Sequence, residues 1–142
     1  RAEWKSEIRN PKSDVIFVLT RRADDLRARI AVRVDEMFRR GLVAETEQLL
    51  RRGLAENKTA MQAIGYRQVA EFLLGESRNA RLAEIIEQIK IRTRQFTKRQ
   101  LTWFRRHGNC EWIELQPDES PEKCARKIAL LNPQLLPQNH SR

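Results

Sequence analysis

Apolar positions along this chain recur mostly at helical spacing, with two short exceptions. The run DVIFVLT, residues 14–20, is a continuous apolar and β-branched stretch after NPKS, and it predicts a buried strand. A single strand is not stable by itself, so this one needs a sheet. Leu26, Ile30, Val34 and Met37 then recur at spacings of four, four and three, which puts them on one helical face, with Gly41 as the C-terminal cap. A second amphipathic helix is predicted over residues 42–52, with Leu42, Leu49 and Leu50 inward and Gly53 closing it. Together the two helices read as an αα-hairpin.

Gly65 interrupts what could otherwise be one helix over residues 59–74. The pattern predicts a break at Ile64–Gly65 followed by a helix ending at Gly75. A plain helix break and a place where backbone closely approaches a ligand are both open readings of this glycine. The longest helix is predicted over residues 79–107. On a wheel of about 100° per residue, Leu82, Ile85, Ile86, Ile89, Thr93, Phe96, Gln100, Trp103 and Phe104 share one sector, the expected core face. Lys90, Arg94, Lys98 and Arg105 line one flank, and Arg92, Arg99 and Arg106 the other. At about 1.5 Å per residue the helix is roughly 40 Å long, enough to follow several phosphates of a polyanion. The second exception, CEWIELQP, predicts a short strand after this helix. DESPEKCARKIALL then predicts a last, peripheral helix, with Ser120 as N-cap and Pro121 at its first position. The tail NPQLLPQNHSR has little to bury and is expected to be loosely ordered.

Charge changes the picture more than composition does. The 142 residues are 40% hydrophobic and 33% charged, as in a globular protein, and no apolar run is long enough to span a bilayer, so no membrane partner is expected. The formal net charge of +9 favours nucleic acid or another anionic partner. The excess is also concentrated, because no acid lies between Glu87 and Glu111 while Lys90, Arg92, Arg94, Lys98, Arg99, Arg105 and Arg106 do. Cys110 and Cys124 form no CxxC motif and no Cys/His cluster, which fits a reducing cytoplasm. The opening RAEWKSEIRN has no apolar stretch of the secretory kind, and it lacks a starting Met, so a piece of a longer chain is expected.

Catalytic patterns are scarce. The sequence has no GxxxxGK[ST] phosphate loop, no GxGxxG, no HExxH and no GxSxG. His107 and His140 are the two histidines, one beside a basic helix end and one in the tail, and neither sits in a nucleophile or metal pattern. Adjacent acids such as Asp24/Asp25 and Asp35/Glu36 would point about 100° apart on a helix and cannot share one site. The residues present suit RNA instead: cations for phosphates, and Gln100, Thr102 and Trp103 for an unstacked base. The same wheel places Gln100 and Trp103 on the apolar sector, where core packing is the competing role.

Three segments in order, GLVAETEQLL, AMQAIGYRQ with FLLGE soon after, and IKIRTRQFTKRQLTWFR, resemble the C-terminal part of the bacterial tRNA dimethylallyltransferase (tRNA isopentenyltransferase) family over residues 14–115. The resemblance implies a mostly α chain: the C-terminal helical part plus one strand of a P-loop-kinase-like α/β domain whose N-terminal half lies outside these residues. Residues 1–13 would then be a lead-in or linker, and residues 116–142 a peripheral helix and tail. It also implies transfer of a dimethylallyl group from dimethylallyl diphosphate, with magnesium, to N6 of the adenosine 3′ of the anticodon. The partner implied is a tRNA anticodon stem-loop, with no protein partner, in the cytoplasm. Carried over onto this sequence, the tRNA-contacting positions are Gln62, Gly65, Tyr66, Arg67, Lys98, Arg99, Gln100, Thr102, Trp103 and Arg105. Arg94, on the same flank as Lys98, is a further basic candidate. The family's phosphate loop and catalytic aspartate have no counterpart here, so these residues alone are expected to be inactive. Two alternatives stand beside this reading: a stand-alone helical RNA-binding module, and a structural helical domain whose basic face is merely solvated.

Overall fold

The computed structural model describes residues 16–75, 81–106 and 109–131; the predicted lead-in, the extreme ends of the long helix and the tail lie outside them. The elements in order are β1 (Ile16–Thr20), α1 (Ala23–Arg39), α2 (Leu42–Arg51), two 3-10 turns (Leu54–Glu56 and Ala60–Gln62), α3 (Tyr66–Leu73), α4 (Leu82–Arg105), β2 (Cys110–Glu114) and α5 (Pro121–Leu131). The chain is mostly helical with a short parallel sheet. It divides into two compact units, one formed by the described residues up to Arg22 with those from Trp103 onward, the other by Ala23–Thr102.

In the first unit β1 pairs in parallel with β2, in register from Ile16 opposite Cys110 to Thr20 opposite Glu114. The strand expected at residues 14–20 thus pairs with the other predicted strand, that of CEWIELQP. The ladder extends through the Leu115 amide, which donates to the Thr20 carbonyl at 2.8 Å. Val18 and Ile113 are buried on opposite faces of the ribbon, while their respective neighbours Trp112 and Leu19 are exposed. Ser120 caps α5 as predicted, its Oγ accepting from the Lys123 amide at 3.3 Å. Just before it, the Glu119 carboxylate accepts from the Lys127 ammonium and the Gln116 amide, which holds its pKa below the ordinary carboxylate value, Lys127 having the larger effect. Cys110 and Cys124 are free thiols.

The second unit is organised around Ile30 and Val34 of α1, Leu42 of α2, Val69 of α3, and Ile85 and Ile89 of α4, with Leu26 and Met37 packed alongside. The α1 stripe expected from its spacing is therefore the buried one. Gly41 makes the hairpin turn in the left-handed region, φ 99°, where a side chain would be strained. In α2 the best-buried positions are Leu42 and Thr46, whereas Leu49 and Leu50 are only half-buried. Thr46 is tolerated in the core because its hydroxyl donates to the Leu42 carbonyl at 2.7 Å, one turn back on the same helix.

The first half of α4 buries the sector expected of it, but the second half does not. Ile85 and Ile89 are each 1% exposed, whereas Phe96 and Trp103 on the same sector are 44% and 51% exposed, and Gln100 is exposed with them. Arg94, Thr97, Leu101 and Phe104 are the half-buried positions there, a stripe at spacings of three, four and three rotated to one side of the predicted face. A helical wheel assumes one covered face for the whole helix. Here the α1–α3 core covers only the N-terminal turns, and Phe96, Gln100 and Trp103 are left facing outward.

Candidate nucleic-acid interface

The sequence-derived positions fall into two groups. Gln62 is an exposed residue ending the second 3-10 turn, and Gly65, Tyr66 and Arg67 form the entry to α3. Gly65 breaks the helix as predicted and has φ 105°, which an L side chain adopts only under strain. Its N–H donates to the Gln68 side-chain oxygen at 2.8 Å, and a Cβ at this point would lie 3.6 Å from Met37 Cε. The buried Gly65 is thus required by the turn itself, whatever else it does.

Tyr66 is fixed across 21 residues of sequence by donating its hydroxyl to Glu45 Oε1 at 2.8 Å. That bond, with burial and the nearby negative charge contributing less, raises the phenol above its ordinary value, since ionisation would set two anions together. Tyr66 is the single tyrosine of the chain, so tyrosinate absorbance reads it alone. We expect its titration midpoint to lie above that of a free tyrosine and to fall back in Glu45→Ala; an unchanged midpoint would show that the bond is absent in solution. Arg67 donates to Glu71 one turn on, at 2.7 Å, so a carboxylate offsets its charge. Glu45 and Gln68 do not stand out in the sequence as site residues. Gln68 carries a signal all the same, a Gln three residues after a capping position.

The second group lies on successive turns of α4. Arg94, Lys98 and Arg105 fall within about 40° of one another on the helix and span about 16 Å at about 1.5 Å per residue. Arg99 runs beside them with its guanidinium carbon 5.8 Å from the Phe96 ring centroid, and Arg105 sits likewise 5.8 Å from that of Trp112. The Thr102 hydroxyl donates to the Lys98 carbonyl at 2.9 Å, which leaves its oxygen able to accept. Lys90, counted on the same flank from the sequence, does not belong with them. Its ammonium lies 2.8 Å from Asp35 and 2.9 Å from Glu87, its side chain is largely buried, and those carboxylates raise its pKa, Asp35 most.

Ion pairing is sparser in α4 than in α1–α3, although Arg27 and Arg33 of α1 also hold no carboxylate among the described residues. In α1, α2 and α3, Arg29, Arg39, Arg51 and Arg67 each hold a carboxylate one turn away, as does Arg40 just past the end of α1. Among the described residues no carboxylate pairs with Arg92, Arg94, Lys98, Arg99, Arg105 or Arg106, because the sequence places no acid within their turns. Cations without partners project a positive potential over about a Debye length, roughly 8–10 Å at ordinary ionic strength. The stripe is therefore suited to a chain of phosphates. Among the described residues no group of three or more His, Cys, Asp or Glu converges to hold a metal ion, and no helix is long and apolar enough to cross a membrane.

Comparison with known proteins bears on what such a stripe serves. Residues 1–107 match the family model for IPP transferase. The tRNA dimethylallyltransferase of Natranaerobius thermophilus is 34% identical over 122 residues, which are 86% of this chain and 36% of that protein. The tRNA dimethylallyltransferase of a Nocardioides species is 51% identical over 88 residues, 62% of this chain and 27% of that protein. Two solved structures share the fold. The tRNA isopentenylpyrophosphate transferase of Bacillus halodurans has a TM-score of 0.72 at 37% identity, over 82% of this chain and 37% of that one. The tRNA delta(2)-isopentenylpyrophosphate transferase of Staphylococcus epidermidis has a TM-score of 0.73 at 30% identity, over 84% and 38%. The chain thus matches between about a quarter and two-fifths of the length of these relatives.

Proposed function

The chain belongs to the IPP transferase family, and on that premise we propose that it supplies the tRNA-holding part of a tRNA dimethylallyltransferase. The observation that carries this reading is the run of unpaired cations along α4, within a segment similar to proteins named for acting on tRNA. Arg94, Lys98, Arg99 and Arg105 take phosphates of the anticodon arm. The exposed Gln100, Thr102 and Trp103 supply hydrogen bonds and a stacking face for an unpaired base. Gln62, Tyr66 and Arg67 form a second contact at the entry to α3.

In the reaction proposed for the whole enzyme, N6 of the adenosine 3′ of the anticodon attacks the allylic carbon of dimethylallyl diphosphate. The carbon–oxygen bond breaks, diphosphate departs, and the amine proton passes to a base. Such a step needs fixed donors for the departing diphosphate and a base at the amine. These 142 residues contain no phosphate-loop motif, and the acids of the described helices are engaged with neighbouring cations or stand on solvated faces. No residue of the chain is assigned as a magnesium ligand. Its part is binding and orientation, in the cytoplasm where tRNA resides.

The test uses the purified chain with an anticodon stem-loop, magnesium and dimethylallyl diphosphate. We expect the stem-loop to bind and no prenylated adenosine to form. Measurable transfer would refute the division of labour, and absence of binding would refute the RNA-holding role. The competing reading, an RNA-binding module without any transfer chemistry, is separated by the gene: an open reading frame continuing upstream into GxxxxGK[ST] decides for the enzyme.

A further inference from the structure

The RNA surface expected from the sequence stops at Arg105, and the family match ends at residue 107, but the cation–aromatic pattern continues past both. Trp112 lies in the middle of β2, in register with Val18, and is 37% exposed. Arg105, in the last turn of α4, sets its guanidinium over that indole. Trp103, half-exposed, meets Phe104 edge to face at 4.9 Å and 84°, so aromatic faces and unpaired cations alternate at this end of the helix.

The chemistry of a stacked guanidinium differs from that of a free one. At 5.8 Å from the indole centroid the Arg105 guanidinium is drawn toward the ring, which biases where the side chain sits, and no carboxylate takes its N–H donors from a phosphate. An unheld arginine must lose its rotamer freedom when it binds, so the platform makes each bond to phosphate more effective. A carboxylate in place of Trp112 would hold Arg105 equally well but would cancel its charge. Among the described residues Arg105 has no such partner, even though Glu114 follows on the same face of β2. The plain structural role, a basic residue offsetting the C-terminal end of the helix dipole, does not require an indole beneath it.

We propose that Trp112 is part of the RNA-binding surface, a positioning residue that holds the Arg105 guanidinium edge-out toward an RNA phosphate. The inference rests on the reading of α4 as an RNA-holding helix. It is tested with anticodon stem-loop affinities and their salt dependence for the wild-type chain, Trp112→Leu, Trp112→Phe, Arg105→Lys, Arg105→Ala and the double variant Trp112→Leu/Arg105→Ala, each with a thermal melt. Trp112→Leu and Arg105→Lys should each weaken binding about three- to tenfold. Trp112→Phe should stay near wild type. The double variant should lose no more than Arg105→Ala, and the salt slope should fall by about one in Arg105→Ala but stay close to wild type in Trp112→Leu, which keeps the cation. Arg105→Lys leaves the strand untouched, so the test survives if Trp112→Leu does not fold. Wild-type affinity in Arg105→Lys, or losses that multiply in the double variant, would overturn the inference alone. Failure of the wild-type chain to bind the stem-loop would overturn it together with the reading beneath it.

Discussion

Ile89→Ala lowers the unfolding free energy of the helical unit by about 2–5 kcal/mol, the range for emptying a buried aliphatic site that its neighbours only partly refill. Ile89 is 1% exposed and belongs to the cluster that joins α1, α3 and α4, so no surface motion can close the gap. The effect reads directly in a denaturant titration, as an earlier midpoint with an unchanged slope. The same truncation at Phe96, equally apolar and on the same predicted sector but 44% exposed, should cost well under half as much. Equal losses at the two positions would mean that α4 is covered along its whole length, contrary to the burial seen here.

The second large effect is on RNA. The triple variant Lys98→Ala/Arg99→Ala/Arg105→Ala is expected to weaken anticodon stem-loop binding on the order of a hundredfold at low salt, with a slope shallower by two to three phosphate contacts. Its melting temperature should remain close to wild type, because these side chains are exposed and hold no carboxylate that their loss would strand. An unchanged affinity would reduce the stripe to a solvated helix face.

Much of the local helical structure in both units is legible in the amino-acid sequence. The α1 stripe, the glycine turns at Gly41 and Gly65, and the Ser120–Pro121 start of α5 depend on neighbours within a few residues, and such patterns are written locally. The parallel pairing of β1 with β2 is not legible, since both runs are recognisable as strands but nothing in either names a partner so distant along the chain. The face of α4 escapes for a related reason. Periodicity reports which residues could be buried together, and the α1–α3 core reaches only half of that helix.

The candidate site divides the same way. The basic run is visible because it lacks acids in the sequence itself. Removing Lys90 from it requires Asp35, a residue of another helix, and the hold of Glu45 on Tyr66 likewise crosses from α2 to α3. The Arg67–Glu71 pair can be foreseen from its spacing of four. Which cations remain available to an anion is a tertiary property, and charge counts along the chain overstate it.

The central claim, that this chain grips the phosphates of a tRNA anticodon arm, is tested most directly by the affinity of the wild-type chain for an anticodon stem-loop measured across a salt series. Each phosphate engaged contributes a slope of about −0.7 to −0.9 in log affinity against log salt concentration, so a stripe holding three to five phosphates predicts a slope between about −2 and −4.5. A flat salt dependence, or no binding at low salt, would contradict it.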